Sequence, residues 1–253
     1  MNDWKNHLYE NYVSSGQAGG SLDRGSRISS HDYPYFQRII NKHLPFNKDV
    51  AIADIACGHG ALLHCLRESG YRNISGVDVS LEQVELAHQF GVVEAVCGDM
   101  GGFLRDKAGA FDVIFLMDIL EHLERAELFE LLGLVSLSLK EGGLVVIHVP
   151  NGAGLHGMRI RYGDLTHENC FTPQSIQQAL GSSGFVEIRS HEDKPVVHGL
   201  KSFMRSVLWR ILTIPHRLLL LAETGQAGHI LSQNMLVAAR KTSTRNPSGP
   251  ALD

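Results

Sequence analysis

The chain has 253 residues, 43% hydrophobic and 20% charged, a composition long enough and apolar enough for one sizeable α/β core. A formal net charge of −4 gives no global basic field, which counts against nucleic acid as a partner and leaves only a local basic patch open. No apolar run reaches the roughly eighteen residues of a membrane span and the first residues carry no signal-like apolar core, so a cytoplasmic protein is expected.

Residues 1–30 are polar and rich in glycine and serine, which reads as a mobile arm whose Tyr9, Tyr12, Arg24 and Arg27 could close over a ligand. Phe36, Ile39, Ile40 and Leu44 recur at helical spacing and predict a helix over 35–44 that stops at Pro45. The stretch from Asp49 to Leu66 then organises everything that follows. It opens with Val50, Ile52 and Ile55, passes through Ala56-Cys57-Gly58-His59-Gly60, and continues with a Leu62, Leu63 and Leu66 stripe. That pattern is strand, glycine turn, helix, a device in which backbone amides approach a nucleotide-like ligand closely. A dinucleotide fingerprint would need a third glycine where Leu63 stands. The spacing Asp54-x-Ala56-x-Gly58-x-Gly60 instead resembles motif I of the class I S-adenosylmethionine (SAM) methyltransferases, with Ala56 where that family usually has glycine.

The next strands repeat one device, an acid at the carboxyl end. Ile74 to Asp78 is a short strand, and Asp78, next to Val79, lies about twenty residues past the turn, where an acid can accept ribose hydroxyls. Ser80 is the better cap for the helix 81–89. A third strand over 92–100 ends in Asp99 and Met100, which the resemblance places at the adenine. The fourth, Phe111 to Asp118, carries Met117 and Asp118 at its tip and runs into Glu121-His122, resembling motif IV of the small-molecule, ubiquinone-type branch of the family.

A helix over 123–138 turns Leu128, Leu131, Leu132 and Val135 inward, Lys140 to Gly143 makes a turn, and a buried fifth strand over 144–149 ends at Pro150-Asn151. Residues 153–172 leave regular structure and concentrate Arg161, Tyr162, Asp164, His167 and Glu168, where a substrate pocket is expected. The run Asp164-x-Thr166-His167-x-x-x-Phe171-Thr172 resembles methyltransferases encoded among bacterial glycan and surface-polysaccharide genes. A helix from Pro173 to Ala179, a strand over 185–188 and a closing strand over 235–239 follow. Between those strands, residues 199–222 form amphipathic helices with Arg205, Trp209 and Arg210, to be packed on the sheet, on a second copy, over the pocket, or on a membrane surface. The last residues, 242–253, are a polar tail.

The resemblance implies a doubly wound, seven-stranded, mostly parallel Rossmann-like α/β sheet with an inserted C-terminal helical segment. The chain divides into an arm and helix at 1–48, a SAM-binding core at 49–150, a pocket, inserted helices and closing strands at 151–241, and the tail. SAM is the implied cofactor, held by Asp54, Ala56, Cys57, Gly58, Gly60, Asp78, Val79, Asp99, Met100, Met117 and Asp118. The expected reaction is O-methylation of a sugar or glycan-type small molecule by SN2 transfer, with a lipid, quinone or other natural product as the alternative acceptor. His167, between Asp164 and Glu168, is the first choice for general base and His122 the second. Asn151, Arg161, Tyr162, Asp164 and Glu168 are the candidate acceptor contacts, and the scheme requires no metal. His148 reads as structural and His59 as a cofactor-lining residue. The four cysteines, Cys57, Cys65, Cys97 and Cys170, make no C-x-x-C pair and are expected to be reduced.

Two other classes compete. A nicotinamide-dependent enzyme would share the sheet but should carry the third glycine and a Tyr-x-x-x-Lys relay, neither of which occurs. A SAM-binding protein without catalysis would keep the glycine turn and Asp78 but would not need titratable groups at 164–168. Met117-Asp118-Ile119-Leu120 stands where nucleic-acid amino-methylating enzymes carry Asn-Pro-Pro-Tyr, which again disfavours DNA or RNA.

Overall fold

The computed structural model describes residues 22–23, 27–28 and 32–243. Tyr9, Tyr12 and Arg24 of the arm, and the tail beyond 243, lie outside the described residues. Two short strands, β1 (Leu22–Asp23) and β2 (Arg27–Ile28), pair antiparallel ahead of α1 (Asp32–His43). Pro34 falls in the first turn of α1, where a missing amide costs nothing, so the helix begins three residues earlier than its apolar spacing alone indicates.

Seven strands form one sheet: β3 (Ile52–Ile55), β4 (Ile74–Asp78), β5 (Ala95–Cys97), β6 (Phe111–Met117), β7 (Leu139–Pro150), β8 (Phe185–Glu192) and β9 (Asn234–Lys241). Their spatial order is β5-β4-β3-β6-β7-β9-β8, all pairs being parallel as far as β7, while β9 runs antiparallel to β7 and β8. The order reverses between β3 and β6, and their carboxyl ends therefore flank the crevice in which ligands bind in such sheets. This is the expected doubly wound architecture.

Alternation along the strands divides the core between the two faces. Ala53, Ile55, Ile114 and Leu116 point to one side, against Leu104, Leu128, Leu132 and Leu180; Ile52, Val113 and Phe115 point to the other, against Ile39, Ile40, Leu63 and Leu66. The covering helices are α2 (Ala61–Glu68), α3 (Leu81–Gln89), α4 (Met100–Arg105), α5 (Arg125–Ser138), α6 (Gly157–Arg161) and α7 (Pro173–Ser182). A short 3-10 helix, Leu120–His122, follows β6.

Several boundaries differ from the sequence reading for local reasons. The third strand shrinks to Ala95–Cys97 because Asp99 turns the chain into α4, its carboxylate capping the Gly102 amide at 2.7 Å. The fifth strand runs from Leu139 through the expected turn at 140–143, with Gly142 at φ 69 and an irregular register opposite Phe111 and Val113. Helix α5 begins at Arg125 because Glu124 and Glu127 close a capping box. Segment 153–172 is not wholly irregular, since α6 lies within it.

The inserted helices are α8 (Leu200–Leu212) and α9 (Ile214–Thr224), between β8 and β9. Their apolar stripe does not face the sheet. The buried residues of α8 are Ser202 and Ser206, α9 buries none, and Phe203, Met204, Leu208, Ile211 and Leu212 are each more than half exposed. No helix among the described residues is long and apolar enough to cross a membrane.

Candidate active site

The crevice is built from the turn after β3. Ala56, Gly58 and Gly60 all have left-handed backbones, with φ of 60, 52 and 76°. Asp78, at the tip of β4, fixes this turn: its Oδ2 accepts from the Gly58 amide at 2.8 Å and its Oδ1 from the Ser80 amide at 2.9 Å. Ser80, not Asp78, caps α3. The aspartate therefore has both oxygens engaged once by the backbone, and each keeps a second lone pair for a ligand hydroxyl.

A cavity of about 540 Å³ opens over this turn, within the range of small-molecule sites. Of the residues expected at the cofactor, Asp54, Ala56, Cys57, Gly58, Asp78, Val79, Asp99, Met100, Met117 and Asp118 line it. Gly60 does not. A Cβ there would lie 2.9 Å from Val92 Cγ1 and 3.3 Å from Ala87 Cβ, so this glycine is required by packing of the start of α2 against α3 and the connection that follows it. Gln83, which the sequence reading passed over, also lines the cavity; it sits three residues past the Ser80 cap, on the inward side of α3.

Two acceptors in this wall are buried without a hydrogen-bond partner, Asp54 Oδ1 and Gln83 Oε1. Burial, with Asp78 nearby, pushes the Asp54 carboxyl up to about 8. Burial also raises Asp78 above its ordinary value, although its two backbone amides oppose the shift, and it raises the Cys57 thiol. A ligand offering cationic or hydroxyl donors satisfies these groups. SAM brings an ammonium, ribose hydroxyls and an exocyclic amine, with no phosphate to be cradled, so the donor set fits the wall.

At the tip of β6, Asp118 turns with φ 53° and receives His148 Nδ1 at 2.6 Å. Asp193 closes on the far nitrogen of His148 at 3.4 Å and is itself held by Arg38 at 2.6 Å. Burial works against the imidazolium, but the two carboxylates prevail and hold His148 well above its ordinary value. Desolvation acts to raise Asp118, and the His148 charge and hydrogen bond outweigh it and hold the carboxyl low. Burial and Asp118 together push Glu121 well up.

The pocket segment is docked onto this tip. The Glu121 carbonyl accepts from the amides of Glu168 and Asn169 at 2.7 and 3.0 Å, and His122 Nδ1 meets Thr166 Oγ1 at 2.8 Å. Thr166 donates in turn to Asp164 Oδ1 at 2.6 Å, and these hydrogen bonds, against the cost of desolvation, keep Asp164 below its ordinary value. His122 lines the main cavity; His167 does not. The His167 ring packs edge-on against His122, centroids 4.6 Å apart, and with Asp164, Arg159 and Gln233 it lines a second pocket of about 370 Å³.

The other expected acceptor contacts lie elsewhere. Asn151 is fully buried, its amide donating to the Ile230 and Ser232 carbonyls at 2.9 Å each and its oxygen accepting from Ala153, so it braces the loop and corrects the acceptor role read from sequence. Arg161 donates to the Glu168 carbonyl at 2.9 Å and stacks by Tyr162, which is 76% exposed. Arg161, Tyr162 and Glu168 line neither pocket.

The switch-point crevice, the acid-tipped strands and the glycine turn define a class I SAM-dependent methyltransferase. Residues 29–190, more than half of the chain, match the methyltransferase-domain family, and the chain belongs to it. A ubiquinone biosynthesis O-methyltransferase of Chelativorans sp. (strain BNC1) is 27% identical over 157 residues, 56% of this chain and 60% of that protein. The chain thus spans less than two thirds of that relative's length. A SAM-dependent methyltransferase from Archaeoglobus fulgidus superposes with a TM-score of 0.61 at 21% identity, covering 83% of this chain and 94% of its own. The Haemonchus contortus phosphoethanolamine N-methyltransferase 2, solved in complex with SAM, gives 0.60 at 16% identity, covering 93% and 60%. At these identities the structures attest the fold.

Proposed function

We propose that this SAM-dependent methyltransferase methylates a hydroxyl oxygen of a sugar or glycan-type small molecule. The observation that carries the reading is the contact of the two pocket walls at His122 and His167: Asp118 and His122 line the main cavity, and Asp164, Arg159 and His167 line the second pocket. A pocket that offers a carboxylate, a guanidinium and an imidazole suits a polyhydroxylated acceptor better than a quinone ring. The resemblance of 164–172 to glycan-cluster methyltransferases points the same way.

When bound, SAM supplies an electrophilic methyl group for in-line displacement. The chain's own residues hold the partners and move the proton. Asp78 and the Gly58 turn fix one end of the cofactor, while Asp54 meets its cationic part. His122, in the cavity wall, accepts the hydroxyl proton at Nε2. The charge that forms is supported through Nδ1 by Thr166 and the ionised Asp164. His122 thereby takes the role that sequence order assigned first to His167, because only His122 borders the cofactor cavity.

Calorimetric titration with SAM, S-adenosylhomocysteine and NAD, on wild type and Asp78→Ala, tests the cofactor assignment. Binding of the SAM pair alone, lost in the variant, is expected. Labelled SAM offered with sugar, quinol and amine acceptors tests the substrate class, and His122→Ala should then lower kcat by about 10²- to 10⁴-fold with S-adenosylhomocysteine affinity unchanged. Turnover with quinols or amines but not sugars would sink the glycan reading.

A further inference from the structure

We propose that Glu121, His122 and His167 form a site for a divalent first-row transition cation in the wall between the two pockets. Their ligating atoms lie within 4.8 Å of one another, a span that closes to bonding distance about a zinc-sized ion with roughly 1 Å of side-chain adjustment. Glu121 Oε2 is buried with no hydrogen-bond partner, and the residue is 1% exposed. An isolated carboxylate oxygen in that position is costly, and a cation relieves the cost.

The hydrogen bonds around the two rings prepare them for the same task. His167 Nδ1 faces the Ile160 carbonyl at 3.0 Å, which only an N–H can satisfy, so in the neutral ring the lone pair is on Nε2. Thr166 spends its hydroxyl proton on Asp164 and can only accept from His122 Nδ1, so the neutral His122 ring also carries its lone pair on Nε2. Metal-ligating histidines typically have this arrangement, the far nitrogen donating to a carbonyl or to a carboxylate-backed partner. Two imidazoles and one carboxylate favour zinc, manganese, iron or cobalt over magnesium or calcium. Sequence order separates His167 from the other two ligands, and docking of the 157–172 segment onto the 3-10 helix brings it back.

The chemistry such an ion would add rests on the methyltransferase reading. Bound to the His122 ring such an ion would border the cofactor cavity and would lower the pKa of an acceptor hydroxyl that coordinates it, the proton leaving to solvent; His122 Nε2 acts as the base only in the metal-free protein, because a metal-bound lone pair takes no proton.

Binding is measured without turnover. Chelator-stripped protein titrated calorimetrically with Zn²⁺, and with Co²⁺ followed by visible absorption, should take up one ion per chain with a ligand-field spectrum of mixed nitrogen and oxygen donors. Glu121→Gln and His167→Ala should each abolish stoichiometric uptake, and Asp164→Asn should weaken it by about 10- to 100-fold, all with circular dichroism and S-adenosylhomocysteine binding unchanged. No stoichiometric uptake by wild type, uptake unaltered in both ligand variants, or uptake of Mg²⁺ and Ca²⁺ in place of Zn²⁺ overturns the assignment. Zn²⁺ uptake without S-adenosylhomocysteine binding supports the metal site and fails the methyltransferase reading, so the two are separable.

A second inference rests on a different surface. We infer that the outward face of α8 and α9 docks on an anionic lipid bilayer. Its exposed apolar residues are accompanied by exposed Lys201, Arg205, Arg210 and His216, against one acid, Glu223, between Leu200 and Thr224. An apolar stripe with a cationic flank matches acyl chains beneath an anionic headgroup layer. The pair is tied to the body by Arg217, which donates to Glu192 at 2.6 Å and to the His229 carbonyl at 3.0 Å, while the large apolar side chains of both helices stay exposed on the outward face. Co-sedimentation with phosphatidylcholine vesicles, with and without phosphatidylglycerol, should show binding to the anionic vesicles only, weakened by salt and lost in Leu208→Asp/Ile211→Asp. Equal binding to both vesicles, binding to neither, or a solution dimer that the double variant converts to monomer overturns it.

Discussion

His148 and Asp118 are joined twice: the ring Nδ1 donates to the Asp118 carboxylate at 2.6 Å, and the Asp118 amide donates to the His148 carbonyl at 3.1 Å. The first link is electrostatic and the second is the last rung between β6 and β7. Together they hold Asp118 in its left-handed conformation at the mouth of the cavity.

The side-chain link makes stability depend on pH in two directions. His148 is raised in the folded state, so its contribution is full below the ordinary histidine value and fades as pH climbs through the raised one. Asp118 is lowered, so its contribution is full above the ordinary carboxylate range and fades as pH falls through the lowered value. His148→Asn should cost about 1–2 kcal/mol near neutrality, the lower part of the range for charged hydrogen bonds because Asp118 is 57% exposed. Urea denaturation across pH should show the gap to wild type narrowing at both extremes; a constant gap would mean the pair is held by packing alone.

Asp54 has the opposite sign. A carboxyl raised to about 8 binds a proton in the folded state that the unfolded chain gives up near 4, so the empty protein loses stability as pH rises between those values. Asp54→Asn should therefore raise the melting temperature of the unliganded protein above pH 8 and change it little below pH 4. The same substitution removes a carboxyl that can ionise against the cofactor's cationic part and should weaken SAM by about 10- to 100-fold. Thermal scans with and without S-adenosylhomocysteine read both effects, and a variant that binds normally would remove Asp54 from the cofactor site.

Ala56 sits at φ 60°, where a Cβ costs about 1–2 kcal/mol. The family's usual glycine at this place is thus explained by backbone geometry, and this chain tolerates the strain. Ala56→Gly should stabilise by about 0.5–1 kcal/mol after the larger entropy of the unfolded glycine is subtracted, with SAM affinity unchanged. No gain in melting temperature would show that the turn relaxes around alanine.

The sheet, the strand tips and the acids that line the main cavity were legible because each follows from chain-local rules: buried β-branched runs, glycines at a turn, an acid at each carboxyl end. The pocket segment was legible as composition and not as geometry. Nothing between 153 and 172 shows that Asn151 turns inward to hold Ile230 and Ser232, or that Thr166 reaches across to His122, since those contacts join distant stretches. Gln83 could have been found from the Ser80 cap, which fixes the phase of α3 and hence its inward side. The orientation of α8 and α9 was not legible, because an amphipathic period gives the stripe and not what covers it.

Gly60 separates the two meanings of a motif glycine. Gly58 lines the cavity and its amide is held by Asp78, whereas Gly60 lines none of it and lies against Val92 and Ala87. Gly60→Ala adds a Cβ in a left-handed conformation and in contact with Val92, two penalties that together should cost about 2–4 kcal/mol. The variant that remains folded should keep wild-type SAM affinity, since its cavity wall is unchanged. Gly58→Ala meets nothing closer than Gln83 Oε1 at 3.8 Å and should cost only the backbone strain, about 1–2 kcal/mol, but its methyl is added in the cavity wall beside Gln83 and should weaken SAM. Urea denaturation and calorimetry on both variants test the contrast, and equal losses of affinity would show that the turn responds as one unit.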